Sequence, residues 1–282
     1  MKRFGLVLSL LVVIGCKENS VSTSSRSTSV EVRSPLKVVQ QEFQKILDSA
    51  DVLGSIVVYD LKEDTYYSND FEWAKVGRLP ASTFKIPNSI IALETGVVED
   101  DSKLFEWDGN PRRLAVWEQD LIFEEAFHKS CVPCYQEIAR AIGVQRMQQH
   151  VNKFNYGKMV VNDTTIDDFW LIGASEISQM QQIEFLKRFY TSELPISKRT
   201  HDIMYDLMEI EAKTAYRMSG KTGWAIRDGQ NNGWFVGYLE KENNTYFFAV
   251  NIDPKESFNM DLFAVIRKDL AAKAFRQMRI ID

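Results

Sequence analysis

Two short motifs, far apart in the chain, carry residue types that suit acyl-transfer chemistry. Ser82 is followed three residues later by Lys85, and Lys221-Thr222-Gly223 lies far downstream. A serine hydroxyl is a weak nucleophile at neutral pH. Residues three apart on a helix lie on one face, so the lysine amine could take the serine proton. The motif pair therefore predicts a serine acyl-transfer site.

The Ser-x-x-Lys spacing occurs twice, and the sequence around each copy separates them. The copy at Ser34 to Lys37 abuts a polar stretch, whereas Ser82 precedes an apolar segment, Phe84 to Leu93, that predicts a buried helix. A helix N-terminus offers free amide groups and partial positive charge, which favour an oxyanion beside the serine. Taken alone, Ser82 would be a helix-capping residue beside a solvated lysine, and the companion motifs are what favour the catalytic interpretation.

Composition limits the classes of protein to which the chain can belong. Its 282 residues are 45% hydrophobic, with a net charge of -5 and a pI near 5.4. No basic stripe is present, which argues against a nucleic-acid partner. The short pair Arg112-Arg113 predicts a solvated loop. His128, His150 and His201 are too scattered for metal-ligand spacing, so no metal site is predicted.

The N-terminus has the pattern of an export signal. Basic residues at positions 2 and 3 precede an apolar run that ends at Gly15 and is too short to span a bilayer. Residues 13 to 16 resemble the bacterial lipobox, which predicts lipidation at Cys16; an ordinary cleaved signal is the alternative. Residues 1–15 would be the signal peptide and 16–34 a Ser/Thr-rich tether. The protein would then be anchored to a membrane on the periplasmic side.

Cys131 and Cys134 form a Cys-x-x-Cys motif. A thioredoxin-like redox role would require an early strand and a βαβ unit, and that context is missing. We therefore expect the two cysteines to pack or to bridge locally.

The elements that must position these motifs follow from periodicity. We predict helices at Leu36 to Asp48, 135–142, 144–154, 178–190, 197–210 and 262–278, and strands at 54–60, 65–67, 234–239 and 246–252. Early and late strands with helices between them predict an α/β (α+β) fold. Its antiparallel sheet, built from both ends of residues 35–282, would be flanked by helices and interrupted by an all-helical lobe. The cleft would lie between the lobe and the sheet.

The order of motifs resembles the class D serine β-lactamases, the oxacillinase type, from about residue 36 to the end. Further segments carry the same resemblance: Phe84 to Asn88, Trp107 to Gly109, Ser130 to Val132, Tyr156-Gly157, Phe169 to Leu171 and Tyr246 to Ala249. The resemblance implies the serine β-lactamase and penicillin-binding transpeptidase fold and a β-lactam substrate, with no metal.

The resemblance also implies catalytic roles. Ser82 would be the nucleophile, and Lys85, carboxylated by carbon dioxide, would be the general base of acylation and deacylation. Burial supports this because carboxylation needs an uncharged amine. Val132 and Leu171 would supply apolar surroundings, and the Trp170 indole would donate a hydrogen bond to the carbamate.

The remaining implied roles concern the substrate. Ser130 would relay a proton to the lactam nitrogen with help from Lys221, and Tyr156 would contribute to the cleft wall. Lys158 stands where the family usually has asparagine, and we expect its side chain to reach solvent or pair with a carboxylate such as Asp163.

On the facing strand, Thr222 and Arg267 would bind the substrate carboxylate beside Gly223, although Arg267 could equally be a surface helix residue. The amides of Ser82 and Trp224 would form the oxyanion hole.

Two other functions fit the same motifs. One is a β-lactam sensor domain that is acylated without turnover, and the other is a cell-wall transpeptidase. The short segment before the domain favours the free enzyme over the sensor. Substrate range and homodimer formation are left open by the sequence.

Overall fold

The structure is a computed structural model and describes Met1, Gly5 and residues 34–282. Cys16 and nearly all of the predicted signal and tether lie outside the described residues. Within the described part of the chain, no helix has the length and apolar character needed to cross a membrane.

A seven-stranded sheet forms the centre of the domain, in the order β1-β3-β2-β9-β8-β7-β6. Its strands are β1 (Leu36–Val39), β2 (Val52–Asp60), β3 (Thr65–Ser68), β6 (Glu209–Lys213), β7 (Tyr216–Arg227), β8 (Gln230–Lys241) and β9 (Asn244–Pro254), and a separate pair is formed by β4 (Leu104–Phe105) and β5 (Leu121–Ile122). Strand β2 pairs antiparallel with β9, so the two ends of the domain meet at the middle of the sheet. The predicted joining of early and late strands is confirmed.

The described residues contain nine α-helices. They are α1 (Gln41–Ser49), α2 (Phe71–Lys75), α3 (Lys85–Glu94), α4 (Phe123–His128), α5 (Val132–Ile142), α6 (Val144–Lys153), α7 (Gln179–Tyr190), α8 (Lys198–Leu207) and α9 (Phe263–Gln277). Of these, α1, α2, α7 and α9 pack on the sheet. All the predicted helices after residue 130 are present, with their ends shifted by a few residues.

Both faces of the sheet are covered, as the residues of β2 illustrate. Ile56 and Val58 belong to a core cluster that includes residues of α1 and α9. Val57 and Tyr59, which point the opposite way, belong to the larger cluster that extends into the helical lobe. Because side chains alternate along a strand, a strand buried on both faces is continuously apolar.

Three expectations about the fold are wrong in detail. Residues Leu36–Val39 form an edge strand rather than the start of a helix, because their backbone pairs with β3. That pairing is parallel, so the sheet is not purely antiparallel. The lobe also contains the β4 and β5 pair, and is therefore mainly rather than entirely helical. Two-residue strands carry too little periodicity to be recognised in sequence.

Candidate active site

Ser82 lies in a tight turn at the start of a buried helix. Residues Ala81–Phe84 form a 3-10 helix that leads directly into α3 at Lys85. The turn is fixed at its base, where the Thr83 hydroxyl donates to the Pro80 carbonyl at 2.6 Å and the Ala81 amide donates to the Trp170 carbonyl at 2.8 Å. Ser82 itself remains partly exposed, so its hydroxyl is accessible from the cleft.

Lys85 is a buried amine beside this hydroxyl. Its side chain is 1% exposed, and its Nζ lies 3.4 Å from Ser82 Oγ and 4.7 Å from the centre of the Tyr135 ring. No carboxylate among the described residues forms a salt bridge with it. Burial, followed by the nearby charges of Lys221 and Arg113, holds the pKa of Lys85 well below its ordinary value. The lowered pKa increases the fraction of Lys85 that is neutral at a given pH.

Two buried polar groups around the start of α3 have no hydrogen-bond partner among the described residues. The Trp170 ring is fully buried and stacks on Phe84 at 5.7 Å, yet its indole nitrogen has no acceptor within the described structure. Asn88, one helical turn after Lys85, is also fully buried, and both its side-chain polar atoms lack partners there. Unpaired buried donors are costly, so this recess suits a polar group beyond the protein's own atoms.

Ser130 occupies the turn between α4 and α5. Its amide donates to the Phe127 carbonyl at 3.1 Å, and the Cys131 amide donates to the Ala126 carbonyl at 2.9 Å, the pattern of a Schellman helix end. Ser130 therefore has a φ of 52°, a backbone conformation that favours glycine. Glycine would adopt this conformation with less strain, so the presence of serine indicates that its hydroxyl has a role.

Lys221 reaches this serine from the sheet. Its Nζ donates a hydrogen bond to Ser130 Oγ, and its side chain is 4% exposed. Burial, together with the positive charges of Arg267 and Lys268, lowers the pKa of Lys221 to about 7. At neutral pH this lysine can therefore both hold and release a proton.

The chain around Lys221 forms the sheet wall of the cleft. Strand β6 pairs with β7 only from Tyr216 to Ser219, so the later part of β7 has an edge available to face the Ser82 turn. Gly223 lies so close to that turn that an added Cβ would be 3.1 Å from the Pro80 carbonyl oxygen. A larger residue would push the wall away from Ser82.

Alternation along β7 directs Thr222 and Trp224 toward α9. The Trp224 ring contacts Phe263 with ring centres 5.0 Å apart. Arg267, on α9, is 6% exposed and donates to the backbone carbonyls of Phe263, Ala264 and Gly223. The structure therefore places Arg267 against the Lys-Thr-Gly strand, and the alternative of an exposed surface arginine is wrong.

A disulfide joins Cys131 to Cys134, with Cα atoms 5.5 Å apart. It encloses Val132 and Pro133 at the start of α5, immediately after Ser130. The expectation of a local bridge is confirmed.

Tyr156 is not at the cleft surface. Its side chain is fully buried between Phe84 and Phe185, and its hydroxyl donates to Gln182 at 3.1 Å. Gln182 in turn donates to the Thr83 hydroxyl, so Tyr156 supports the nucleophile turn from behind. Its assignment to the substrate-contacting residues is corrected accordingly. Lys158 is exposed, as expected, and forms no ion pair with a described residue.

The cleft contains a charged residue, Arg113, that the sequence did not single out for function. A cavity of about 370 Å³ at its mouth is lined by Arg113, Val132, Leu171, Trp224, Ala225 and Ile226. Arg113 was assigned to a solvated loop; it is exposed, but it also lines this cavity. Nothing in the sequence around Arg113 indicates that its loop folds back toward the active site.

Comparison with known proteins agrees with this arrangement of residues. The family model of the penicillin binding protein transpeptidase domain matches residues 58–272. The chain is 39% identical to β-lactamase OXA-48 of Klebsiella pneumoniae over 217 residues, which are 77% of this chain and 82% of that protein. It is 38% identical to OXA-10 of Pseudomonas aeruginosa over 242 residues, or 85% and 89% of the two chains.

A solved structure gives the same result. The class D β-lactamase from Sebaldella termitidis superposes with a TM-score of 0.84 at 38% identity, covering 88% of this chain and 100% of that one. The fold and the serine-lysine site define a protein of the penicillin-binding transpeptidase class. Within that class, the chain belongs to the class D β-lactamases. No group of His, Cys, Asp and Glu side chains within the described residues could hold a metal ion.

Proposed function

We propose that the protein hydrolyses β-lactam antibiotics through an acyl-enzyme on Ser82, with carboxylated Lys85 as the general base. The observation that carries the proposal is a buried, carboxylate-free lysine whose Nζ lies 3.4 Å from a partly exposed serine hydroxyl. Deacylation by water requires a base that functions near neutrality, and a buried ammonium ion cannot be one.

Acylation forms a bond between Ser82 Oγ and the lactam carbonyl carbon, and the lactam C–N bond breaks. Ser82 Oγ gives its proton to the base at Lys85, and the departing nitrogen gains a proton. Ser130 would deliver that second proton, and the hydrogen bond that its hydroxyl accepts from Lys221 supports this role. Because the pKa of Lys221 is about 7, its ammonium group would return a proton to Ser130 after Ser130 has protonated the nitrogen.

The residues around Lys85 fit a carboxyl group on its amine. The Trp170 indole N–H would donate to it, and the unpaired Asn88 amide provides a second donor on the same helix. When present, this group supplies an anionic base next to Ser82. The half-buried Val132 and Leu171 would limit access of water to the recess.

The facing strand would bind the rest of the substrate. Arg267 donates three of its five N–H groups to backbone carbonyls. The other two would donate to the substrate carboxylate, beside the Thr222 hydroxyl. The backbone amides of Ser82 and Trp224 would stabilise the oxyanion.

Turnover is the observation that separates this function from its alternatives. Purified protein should consume many equivalents of benzylpenicillin, and Ser82→Ala should consume none above background. Ser82→Ala is the control because it removes only the nucleophile. If wild-type protein instead retains one equivalent for hours, the protein is a sensor. Transfer of a cell-wall peptide without β-lactam hydrolysis would identify a transpeptidase.

Membrane attachment is a separate proposal, supported by the lipobox-like residues 13–16 and the polar segment that follows them. Lipid on Cys16 would tether the catalytic domain to a membrane outside the cytoplasm. Cell fractionation should find the wild type with membranes and Cys16→Ser released from them. A wild-type protein that is already soluble in the periplasm would contradict lipid anchoring.

A further inference from the structure

Arg113 supplies the positive charge at the mouth of the cleft. It lies between β4 and β5 and lines the same cavity as Val132, Leu171 and Trp224. Its guanidinium lies 5.5 Å from the centre of the Trp117 ring, which holds it from one side. Arg113 forms neither a salt bridge nor a side-chain hydrogen bond with any residue between 34 and 282.

The neighbouring arginine, Arg112, is paired with a carboxylate in the same loop. Arg112 donates to the Asp108 carboxylate at 2.7 Å, and the two form a salt bridge. It contributes to a different cavity, on the side of the loop that contains Trp107 and the disulfide. The loop therefore neutralises Arg112 internally and leaves the charge of Arg113 available to the cleft.

The other walls of the Arg113 cavity are apolar. Val132, Leu171, Trp224 and Ile226 contribute hydrocarbon or aromatic surface, and Ile226 is 55% exposed. Such walls suit the hydrophobic body of an acyl side chain. A cation without a carboxylate partner, beside apolar walls, favours a ligand that carries a negative charge at one point. After burial and the charge of Lys221, the charge of Arg113 also contributes to the lowered pKa of Lys85.

A β-lactam substrate has two ends, and binding residues have been assigned to only one of them. The ring carboxylate and the acylamino group lie at opposite ends of a β-lactam nucleus. Thr222 and Arg267 on the sheet side are assigned to the ring carboxylate. Arg113 belongs to the loop between β4 and β5 in the helical lobe rather than to the sheet, which leaves it for the acylamino end.

We propose that Arg113 is a specificity-determining residue that favours β-lactams with an anionic acyl side chain, a carboxylate or a sulfonate. This inference rests on the proposed β-lactam hydrolysis and adds the substrate class. A partly solvated arginine-carboxylate contact changes relative rates by about tenfold.

Three penicillins with one nucleus and one phenyl ring provide the test: benzylpenicillin, its α-carboxy derivative and its α-amino derivative. The measured quantity is kcat/KM for each, expressed as the ratio of the α-carboxy to the α-amino compound. In Arg113→Gln this ratio should fall by about tenfold, and in Arg113→Glu it should fall further. Arg112→Gln is the matched control and should retain the wild-type ratio.

Each outcome decides one point. If the ratio is the same in wild type and Arg113→Gln, the inference is wrong. If Arg113→Gln lowers kcat/KM equally for all three compounds, Arg113 acts on the shared ring carboxylate and the acyl-side assignment is wrong. If wild type hydrolyses none of the three, the proposed function itself fails. High salt should weaken the wild-type preference, because an exposed ion pair is screened.

Discussion

Lys85 and Lys221 are both buried at the same cleft, yet their surroundings differ. Lys85 lies at the start of α3, against the ring of Tyr135 and 3.4 Å from Ser82 Oγ. Lys221 lies on a strand and donates to Ser130 Oγ, and the positive charges of Arg267 and Lys268 help to lower its pKa. Burial lowers both pKa values, but the hydroxyl that each lysine touches differs. We infer that Lys85 handles the proton of the nucleophile, and Lys221 that of the leaving group.

Removing the Lys221 amine should separate the two roles most clearly. Lys221→Gln should slow acylation by benzylpenicillin about 10³-fold, because the leaving nitrogen loses its proton supply. Deacylation, which depends on Lys85, should change by less than about threefold. Stopped-flow acylation and the decay of the acyl-enzyme measure the two steps. An equal loss in both steps would mean that the lysines act as one unit.

Ser130 allows a test that separates the effect on activity from the effect on stability. Ser130→Gly and Ser130→Ala should both slow acylation about 10²-fold, because both lack the hydroxyl. Only glycine adopts the φ of 52° without strain, so Ser130→Gly should have the higher free energy of unfolding, by about 1 kcal/mol. Urea denaturation of the two variants measures the difference. Equal stabilities would show that this backbone position is unstrained.

The Trp170 indole should affect the carboxylation of Lys85 and not the proton transfer through Lys221. In protein stripped of carbon dioxide, Trp170→Phe should need about tenfold more bicarbonate for half activation, the loss of one hydrogen bond to an anion. Carbon-13 NMR with labelled bicarbonate measures the bicarbonate concentration for half carboxylation directly, with no activity assay. Carboxylation uses the neutral amine, whose fraction the lowered pKa of Lys85 increases, so the bicarbonate requirement should rise as the pH falls. A requirement that is independent of pH would contradict carboxylation of Lys85.

The disulfide should matter least for catalysis. In the double variant Cys131→Ala, Cys134→Ala, activity should remain within about tenfold of wild type, because neither sulfur takes part in proton transfer. The free energy of unfolding should fall by about 2 kcal/mol, the value expected for so short a loop. A loss of activity of thousands-fold in folded protein would show that the bridge positions Ser130.

Much of this site was predictable from short motifs. Ser82, Lys85 and the Lys-Thr-Gly strand are contiguous patterns whose chemistry depends on local spacing. The helix that follows Ser82 is also apparent in the sequence, as an apolar segment from Phe84 to Leu93. Strand β1 was missed because its structure comes from pairing with β3, which four residues do not encode.

The remaining features depend on tertiary contacts. Tyr156 was expected in the cleft, and only the packing of Phe84 and Phe185 shows that it lies behind the nucleophile turn. Arg112 and Arg113 are identical in type and adjacent in sequence. Their difference arises from Asp108, which pairs with one and leaves the other facing the cleft.

The most direct test of the central claim is the intact mass of Lys85→Ala after exposure to benzylpenicillin. Without a base next to Ser82, the variant should acylate slowly and then retain one penicillin for hours, because deacylation is lost. Wild-type protein treated in parallel should show turnover and no lasting adduct, and Ser82→Ala should show no adduct at all. If Lys85→Ala hydrolyses benzylpenicillin at the wild-type rate, Lys85 is not the base and the account is refuted.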